Sequence, residues 1–328
     1  MIVTRAPLRI SLGGGGTDLP FYSSKFGGSM VSAAINKYNY IIIKKRDFYD
    51  EFLIRYMQTE TVSNVKDIKH TRIKAALELL EISDPIEITS LADVPAGTGL
   101  GSSSTFLVAL LKGLHTYKKE DVSTKKLAEE AAYIEMEVLK EPIGKHDQYI
   151  SSYGGVINLE IDKHGNSIVS NVNMSYSTLE ELENNTLLFS TGISRNAGEV
   201  LSDLKHSSEM NPEALEQMHI IKDIGKEIRK VLEEGKTTKF GKWLNVHWEA
   251  KRKAGDKMSS NKIDDYYELG LRNGAIGGKL VGAGGGGFLM FYCENNKSQL
   301  REAMREAGLK ELPFKFDMDG CKVLYDGR

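Results

Sequence analysis

A glycine-rich segment that ends in hydroxyl side chains precedes an apolar helical pattern in the first half of the chain. It reads Pro95-Ala96-Gly97-Thr98-Gly99-Leu100-Gly101-Ser102-Ser103-Ser104. Glycines let backbone N–H groups approach an anion closely, and the unpaired N–H groups at the start of the following helix favour negative charge. The segment therefore predicts a phosphate-binding loop for a nucleoside triphosphate. A plain Gly-Ser connection has the same composition, so the alternative of a loop without a ligand stays open.

The spacing of this loop excludes the two commonest nucleotide motifs. It lacks the lysine of G-x-x-x-x-G-K-[ST], and its glycines at 97, 99 and 101 do not follow G-x-G-x-x-G. A dinucleotide-dependent dehydrogenase is therefore the least favoured class of enzyme.

Composition restricts the partners of the chain. Its 328 residues allow two ordinary domains, and a net charge of −2 gives no reason to expect nucleic acid or an anionic membrane as a partner. The cysteines, Cys293 and Cys321, form neither a disulfide framework nor a zinc-ligand spacing. No signal peptide or membrane-spanning run is found, so we expect a cytoplasmic protein. The sequence does not specify an oligomeric state.

Strand and helix patterns alternate irregularly, which favours an α+β fold over a doubly wound sheet. Residues rich in β-branched and aromatic side chains predict strands at 9–12, 40–44, 52–56, 86–89, 156–161 and 186–190. Amphipathic patterns predict helices at 72–80, 103–117, 124–139, 146–152, within 195–252 and at 262–273. A polar stretch from Asp162 to Asn173 suggests a hairpin, and a boundary is expected shortly after it, near 175–185, which divides the chain into domains at 1–176 and 177–328.

Three glycine-rich segments in a fixed order carry a family resemblance. The loop at 95–104 lies between Arg5-Ala6-Pro7-Leu8-Arg9-Ile10-Ser11-Leu12-Gly13-Gly14-Gly15-Gly16-Thr17-Asp18 and Lys279-Leu280-Val281-Gly282-Ala283-Gly284-Gly285-Gly286-Gly287. In that order they resemble the three motifs of the GHMP small-molecule kinases. The resemblance implies a two-domain fold with mixed sheets packed by helices and an active site between the domains.

The resemblance also implies roles for single residues. A run from Glu135 to Ser151 is similar to the segment of galactokinases that carries a magnesium-binding glutamate and, twelve positions later, the catalytic aspartate. These roles fall on Glu135 and Asp147, with Ser103 as the second Mg²⁺ ligand and Arg9 beside the aspartate. Taken without the family, Ser103 is a helix cap and Glu135 an acid on a solvated helix.

The first and third motifs supply the predicted substrate site. Asp18 resembles the acceptor of sugar hydroxyls, and the backbone around it would contact the substrate, which gives the set Gly14, Gly15, Gly16, Thr17, Gly285 and Gly286. A phosphate on the substrate would need a basic pocket; Ser194 and Arg195 are favoured for it over Lys145 and the cluster at 251–253. Lys279 is interpreted as an exposed strand charge.

The first motif departs from that of galactokinases, which carry Gly-Glu-His-Thr-Asp where this chain has Gly14-Gly15-Gly16-Thr17-Asp18. The smaller residues widen the sugar site and make it most similar to the branch that phosphorylates the anomeric hydroxyl. The implied reaction is ATP- and Mg²⁺-dependent phosphorylation of D-glycero-D-manno-heptose 7-phosphate to the 1,7-bisphosphate, for surface polysaccharide. Fucose or another free sugar is the alternative substrate, and a non-catalytic sensor of sugar and ATP is the alternative of another class.

Overall fold

Two β-sheets organise the chain, which we describe from a computed structural model covering residues 1–194 and 196–328. The strands are β1 (Ile2–Gly13), β2 (Gly28–Lys45), β3 (Phe52–Arg55), β4 (Thr59–Val62), β5 (Ile86–Ala92), β6 (Val156–Ile161), β7 (Ser167–Asn171), β8 (Thr186–Ser190), β9 (Gly277–Leu280), β10 (Phe288–Tyr292), β11 (Lys310–Glu311) and β12 (Lys322–Asp326). The helices are α1 (Pro20–Phe26), α2 (Thr71–Leu79), α3 (Ser102–Tyr117), α4 (Thr124–Tyr133), α5 (His146–Tyr153), α6 (Tyr176–Asn185), α7 (Ala197–Met210), α8 (Pro212–Glu233), α9 (Thr237–Ala254), α10 (Asn261–Arg272) and α11 (Lys297–Glu306).

The first sheet is mixed and has the order β12-β1-β2-β5-β3-β4, with β6 and β7 attached beside the first half of β2. All its pairings are antiparallel among the described residues except β3 with β5. The first half of β2 pairs with β1 on one side and with β6 on the other. The predicted α+β class is confirmed.

The second sheet has the order β11-β8-β10-β9, and none of its described strands pairs with a strand of the first sheet. Leu8, Ile10 and Leu12 of β1 belong to one hydrophobic core that also contains side chains of α8, α9 and β10. The burial of these apolar side chains from both halves of the chain holds the second sheet and helices α8 and α9 against the first sheet. None of the helices described is both long and apolar enough to cross a membrane.

Helix α8 lies directly on the first glycine turn. A Cβ placed on Gly225 would lie 3.0 Å from the Cα of Gly14, and one on Gly14 would lie 2.0 Å from the carbonyl oxygen of Ser29. Gly14 also has a positive φ of 77°, which side chains rarely adopt. The turn can therefore form only with glycine at 14, and a small residue at 225 is what lets the helix approach it.

The last strand returns to the first sheet. Residues of β12 pair with β1, and Phe316 forms a bridge with Ile35 of β2. A single boundary at residue 176 would therefore leave this C-terminal strand in the sheet of the first half. The division into 1–176 and 177–328 stays a prediction, and any N-terminal unit includes β12.

Candidate active site

A cavity of about 170 Å³ lies where the three glycine-rich segments meet. Glycines of each segment line it, namely Gly15, Gly16, Gly97, Gly99, Gly101 and Gly282. Helices α7, α8 and α9 form the other side. The cavity thus lies between the first sheet and the helices of the second half of the chain.

The predicted phosphate loop is held open by its backbone geometry. Gly97, Gly99 and Gly101 all have φ near 80°, and Gly101 is the residue that precedes the first turn of α3. The Thr98 hydroxyl donates a hydrogen bond to the carbonyl of Pro95 at 3.0 Å, which closes the turn. Unpaired N–H groups of the first turn of α3 are therefore directed at the cavity.

The third glycine-rich segment packs on this loop backbone to backbone. A Cβ on Gly282 would lie 2.5 Å from the carbonyl oxygen of Gly99, and one on Gly287 would lie 2.2 Å from that of Thr98. Both glycines also have positive φ values. Any side chain at either position would push the phosphate loop away, so this segment fixes the loop from the second half of the chain.

Arg9 and Asp147 form a bidentate ion pair on the cavity wall. The Arg9 Nε lies 2.7 Å from Asp147 Oδ1 and its Nη2 2.7 Å from Oδ2, while Nη1 donates to the Gly99 carbonyl at 2.6 Å. A Cβ on Gly101 would lie 3.1 Å from Asp147 Oδ2, so the loop sits directly over the pair. Burial alone would raise the pKa of Asp147, but the charges of Arg9 and His146 hold it well below its ordinary range.

His146 joins Asp147 to the predicted sugar ligand Asp18. Its Nδ1 lies 2.9 Å from Asp18 Oδ2, and its backbone N–H donates to the same oxygen at 3.2 Å. Its Nε2 lies 2.6 Å from Asp147 Oδ1, a charge contact whose direction is not that of a hydrogen bond. Burial lowers the pKa of His146, but the two carboxylates outweigh burial and raise it to about 9. Asp18, His146 and Asp147 thus share one wall of the cavity.

Glu135 lies in a π-helical turn, Ile134–Val138, that continues α4 where the sequence predicts ordinary helix. Its side chain is fully buried and accepts hydrogen bonds from Arg72 at 3.0 Å and from Ser104 and Gln148 at 2.6 Å each. Because a carboxylate has about four acceptor positions, one of them is left by these three bonds. Glu135 therefore ties the start of α3 to the start of α5, a role that the sequence did not indicate.

The predicted metal ligand Ser103 is exposed and lines the cavity together with the half-buried Ser102 and the buried Ser104. The Ser102 carbonyl accepts a hydrogen bond from Asn39 at 2.8 Å, and Ser104 is bonded to Glu135. Mg²⁺ prefers oxygen ligands and keeps several waters, so a hydroxyl beside phosphate oxygens suits it. Ser103 therefore fits Mg²⁺, whereas Glu135 is fully buried and is not among the residues that line the cavity, so its role as a metal ligand stays a prediction.

The other predicted substrate residues divide into two groups. Gly15 and Gly16 line the cavity, whereas the Thr17 hydroxyl is buried and hydrogen-bonded to the carbonyls of Gly14 and Ser29. The Gly285 N–H donates to the carbonyl of Met258 at 2.9 Å. Gly286 is buried, and neither Gly285 nor Gly286 is among the residues that line the cavity.

The candidates for a substrate phosphate are also separated. Ser194 lies beside the phosphate loop, because its Oγ would be 3.6 Å from a Cβ on Gly97. Arg195 lies outside the described residues. Lys145 instead donates to the carbonyl of Gly165 at 2.9 Å, and Arg252 pairs with Glu249 and Asp264.

Lys251 lines the cavity, although it lies in a cluster that sequence reasoning disfavoured. Its Nζ donates to the carbonyl of Gly282 at 2.5 Å, which places it on the phosphate-loop side. The interpretation of Lys279 as an exposed charge is wrong, since it is 1% exposed. Burial, followed by the charges of Lys251 and Arg9, lowers the pKa of Lys279 well below its ordinary value. Lys279 lies on β9, an end strand of the second sheet, and its Nζ donates to the carbonyl of Leu12 in β1 at 3.5 Å. It is therefore buried where the second sheet faces the first, which a four-residue strand pattern does not reveal.

Sequence reasoning also missed an apolar wall opposite Asp18. It consists of side chains from α7, α8 and α9 and from the segment that follows α9: Leu201, Leu204, Met218, Ile221, Ala254 and Met258. Their helical spacing is the same as that of core residues, so no signal distinguishes a cavity wall from an interior face.

A backbone cradle for phosphates beside an ionised aspartate defines the class of a phosphotransferase that acts on a hydroxyl group. Residues 70–155 match the GHMP kinases N terminal domain and residues 228–310 match the GHMP kinases C terminal domain. The chain therefore belongs to the GHMP kinase family, and the resemblance predicted from its motifs is confirmed.

Among individual proteins, the chain is similar to D-glycero-alpha-D-manno-heptose 7-phosphate kinase of Campylobacter jejuni, with 29% identity and 98% of each chain covered. A crystal structure of a D-glycero-D-manno-heptose 1-phosphate kinase from Bacteroides thetaiotaomicron aligns over 100% of both chains with 26% identity and a TM-score of 0.84. The L-fucokinase/L-fucose-1-P guanylyltransferase of Bacteroides fragilis is 25% identical over 90% of this chain and 35% of its own length. Each of the three alignments covers at least 90% of the present chain.

Proposed function

We propose that this protein transfers the γ-phosphoryl group of ATP to the anomeric hydroxyl of D-glycero-D-manno-heptose 7-phosphate, giving the 1,7-bisphosphate for surface polysaccharide synthesis. The observation that carries the proposal is the Arg9–Asp147 pair at 2.7 Å, placed directly under Gly101 of the phosphate loop. The heptose is supported by the similarity to the Campylobacter jejuni enzyme over nearly the full chain.

In this proposal the backbone of 95–104 holds the triphosphate and Asp147 accepts a hydrogen bond from the anomeric hydroxyl. The hydroxyl oxygen forms a bond to the γ-phosphorus while the bond to the β–γ bridging oxygen breaks. Because the pKa of Asp147 is held well below its ordinary range, the carboxylate is a weak base. It therefore orients the hydroxyl and receives the proton late, as suits a loose transition state in which the nucleophile is little bonded.

Positive charge in the site would stabilise the transferring group. Arg9 already contacts the Gly99 carbonyl, and Lys251 contacts the carbonyl of Gly282, the residue that packs on Gly99, so both lie beside the phosphate loop. We assign them to the charge that develops on the phosphoryl oxygens. Ser103, with Glu135 as the predicted second ligand, would hold Mg²⁺, which would supply further charge neutralisation when bound.

Substrate binding follows from the opposite part of the cavity. Asp18 would accept hydrogen bonds from sugar hydroxyls, with the backbone of Gly15 and Gly16 beside it. Ser194 and Arg195 stay the predicted ligands of the 7-phosphate, although Ser194 lies beside Gly97, on the phosphate-loop side of the site.

The apolar wall favours a second candidate substrate. Leu204, Met218 and Ile221 offer no hydrogen bonds, so they suit a sugar that carries a methyl group in place of a hydroxymethyl group. Fucose has such a group, and the similarity to the Bacteroides fragilis fucokinase supports it as the alternative.

Phosphorus NMR would test the function and separate the two substrates. The protein is mixed with ATP, Mg²⁺ and, in separate samples, heptose 7-phosphate, fucose, galactose or mannose. We expect a new anomeric phosphate signal with heptose 7-phosphate, lowered by about 10²-fold or more in Asp147→Asn while ATP binding is retained. A signal with fucose alone would establish the second candidate. Intact ATP binding without transfer to any sugar would refute both and favour a sensor.

A further inference from the structure

The imidazole of His146 lies between two carboxylates that come from distant parts of the chain. Its Nδ1 is 2.9 Å from Asp18 Oδ2, and its Nε2 is 2.6 Å from Asp147 Oδ1. Asp18 follows the first glycine turn, while Asp147 is the next residue along α5. The two predicted functions of these aspartates, binding the sugar and orienting its hydroxyl, are therefore connected through one ring.

We infer that His146 is a positioning residue of the reaction proposed above, holding the sugar ligand Asp18 at a fixed place relative to Asp147. This inference rests on the proposed function and adds a residue for which neither the motifs nor the similar proteins provided a role. The ring contacts both carboxylates, whereas the reacting hydroxyl is contacted by Asp147. His146 therefore acts by positioning its two neighbours.

The Asp18 side chain has little freedom besides this contact. It is 3% exposed, and the backbone N–H of His146 donates to the same Oδ2 at 3.2 Å. A Cβ on Gly144 would lie only 1.9 Å from Oδ2, so the backbone before α5 closes the remaining side. Asp147 is fixed in turn by the fork of Arg9. The two carboxylates are thus held at one separation, with His146 as the link.

Charge explains why a histidine suits this link. The charged groups around His146 are Asp18 from the first glycine turn, Asp147 from its own helix and Arg9 from β1, with Lys251 of α9 lining the same cavity. Burial opposes protonation of the ring, but the carboxylates raise the pKa of His146 to about 9. The ring is therefore an imidazolium at neutral pH and offsets the repulsion between the two carboxylates. Above about pH 9 that compensation is lost.

Steady-state kinetics of His146→Ala and His146→Gln between pH 6 and 10 would test the inference. We expect kcat/KM for the sugar to fall by about 10²-fold in His146→Ala, because a misplacement of about 1 Å has an effect of that size. His146→Gln keeps a donor for Asp18 and should recover part of the loss. The KM for ATP should stay within about twofold of wild type, since the phosphate loop is not touched. The decline of kcat/KM near pH 9 should be absent from both variants.

His115→Gln is the matched control. His115 is also buried between two glutamates, at 2.9 and 2.6 Å, but it joins α3 to α4 away from the cavity. We expect it to keep the wild-type pH profile of kcat/KM even where its melting temperature is lower. Wild-type kinetics and an unchanged decline near pH 9 in His146→Gln would overturn the inference.

Imidazole NMR separates failure of the inference from failure of the proposed function. The ring resonances of His146 are followed from pH 6 to 10 in the wild type and in Asp18→Asn, with His146→Gln used for assignment. We expect the pKa of His146 to fall by about one unit or more when the Asp18 charge is removed. An unchanged pKa would refute the link even if the sugar kinase activity is established. If the pKa of His146 falls as expected but the protein phosphorylates no sugar, the contact between His146 and Asp18 is supported and only the proposed function is refuted.

Discussion

Gly144 tests whether the position of the Asp18 carboxylate controls sugar use. In Gly144→Ala the new Cβ would lie 1.9 Å from Asp18 Oδ2 and 2.8 Å from Oδ1. Ordinary contact begins at 3.4 Å, so Oδ2 must move by about 1.5 Å. Gly144 is not among the glycines with positive φ, so its own backbone accepts alanine without strain. The substitution therefore acts through Asp18.

The size of the effect follows from that displacement. A shift of about 1 Å in a positioned group has an effect of about 10²-fold, which corresponds to about 2.7 kcal/mol of transition-state stabilisation. The hydrogen bond from His146 Nδ1, now 2.9 Å, would be lost as well. We therefore expect kcat/KM for the sugar to fall by about 10²-fold, with a raised KM for the sugar and an unchanged affinity for ATP.

The assay is initial-rate kinetics with varied sugar at saturating ATP, together with calorimetric titration of ATP into each variant. Gly198→Ala is the matched control, because Gly198 lies in the first turn of α7 and its new Cβ would meet nothing nearer than 3.3 Å. It should keep wild-type kinetics, because the new Cβ meets only Asn196 and Pro142 and does not reach Asp18. Sugar kinetics of Gly144→Ala equal to those of Gly198→Ala would refute the assigned role of Asp18. Equal losses for ATP and sugar would instead indicate general damage.

Two further predictions concern the phosphate loop and the pH dependence of stability. In Gly282→Ala, the alanine would have to adopt a positive φ of 79°, and its Cβ would lie 2.5 Å from the Gly99 carbonyl oxygen. Calorimetry should therefore show that the affinity for ATP is weakened by about tenfold or more. A wild-type affinity would contradict the packing of this segment on the phosphate loop. Burial lowers the pKa of His115, but hydrogen bonds to Glu130 and Glu120 outweigh it and raise the pKa overall. Because the folded-state pKa is the higher one, the stabilisation is complete below pH 6.5 and is lost as the pH rises through the raised value. Thermal melts should show the advantage of wild type over His115→Gln, a few degrees at pH 6, shrinking towards pH 9, and an advantage that grows with pH would contradict this sign.

Local patterns were enough to predict most of the regular elements. The strand at 86–89 and the helix at 103–117 follow from residues whose propensity and periodicity agree with their environment, and both lie within β5 and α3. The first half of β2 was missed because Gly28–Lys37 is rich in small and polar residues, and pairing with β1 and β6 determines its conformation. The π-helical turn at Ile134–Val138 was also missed, since it depends on buried partners of Glu135 from other elements.

The candidate site was predictable to the extent that its residues lie in recognisable motifs. The structure brings together Arg9 and Asp147, which are 138 positions apart, as the family resemblance implied. His146 was overlooked, although it precedes Asp147 directly, because its partner Asp18 lies 128 positions earlier in the chain. Lys279 was interpreted wrongly because the burial of a strand residue depends on which other elements pack against the strand. The local sequence pattern does not specify those elements.

The close contact between Gly225 and the first glycine turn has a consequence for how this enzyme could diversify. Since α8 rests on the backbone of Gly14, a substitution in the cavity cannot shift the helix without disturbing the turn that presents Asp18. New substrates would therefore have to be accommodated by changes in side chains such as Met218 and Ile221, which line the cavity. The backbone would act as a constant frame, and evolution or laboratory selection of altered sugar specificity would be concentrated on a few exchangeable positions.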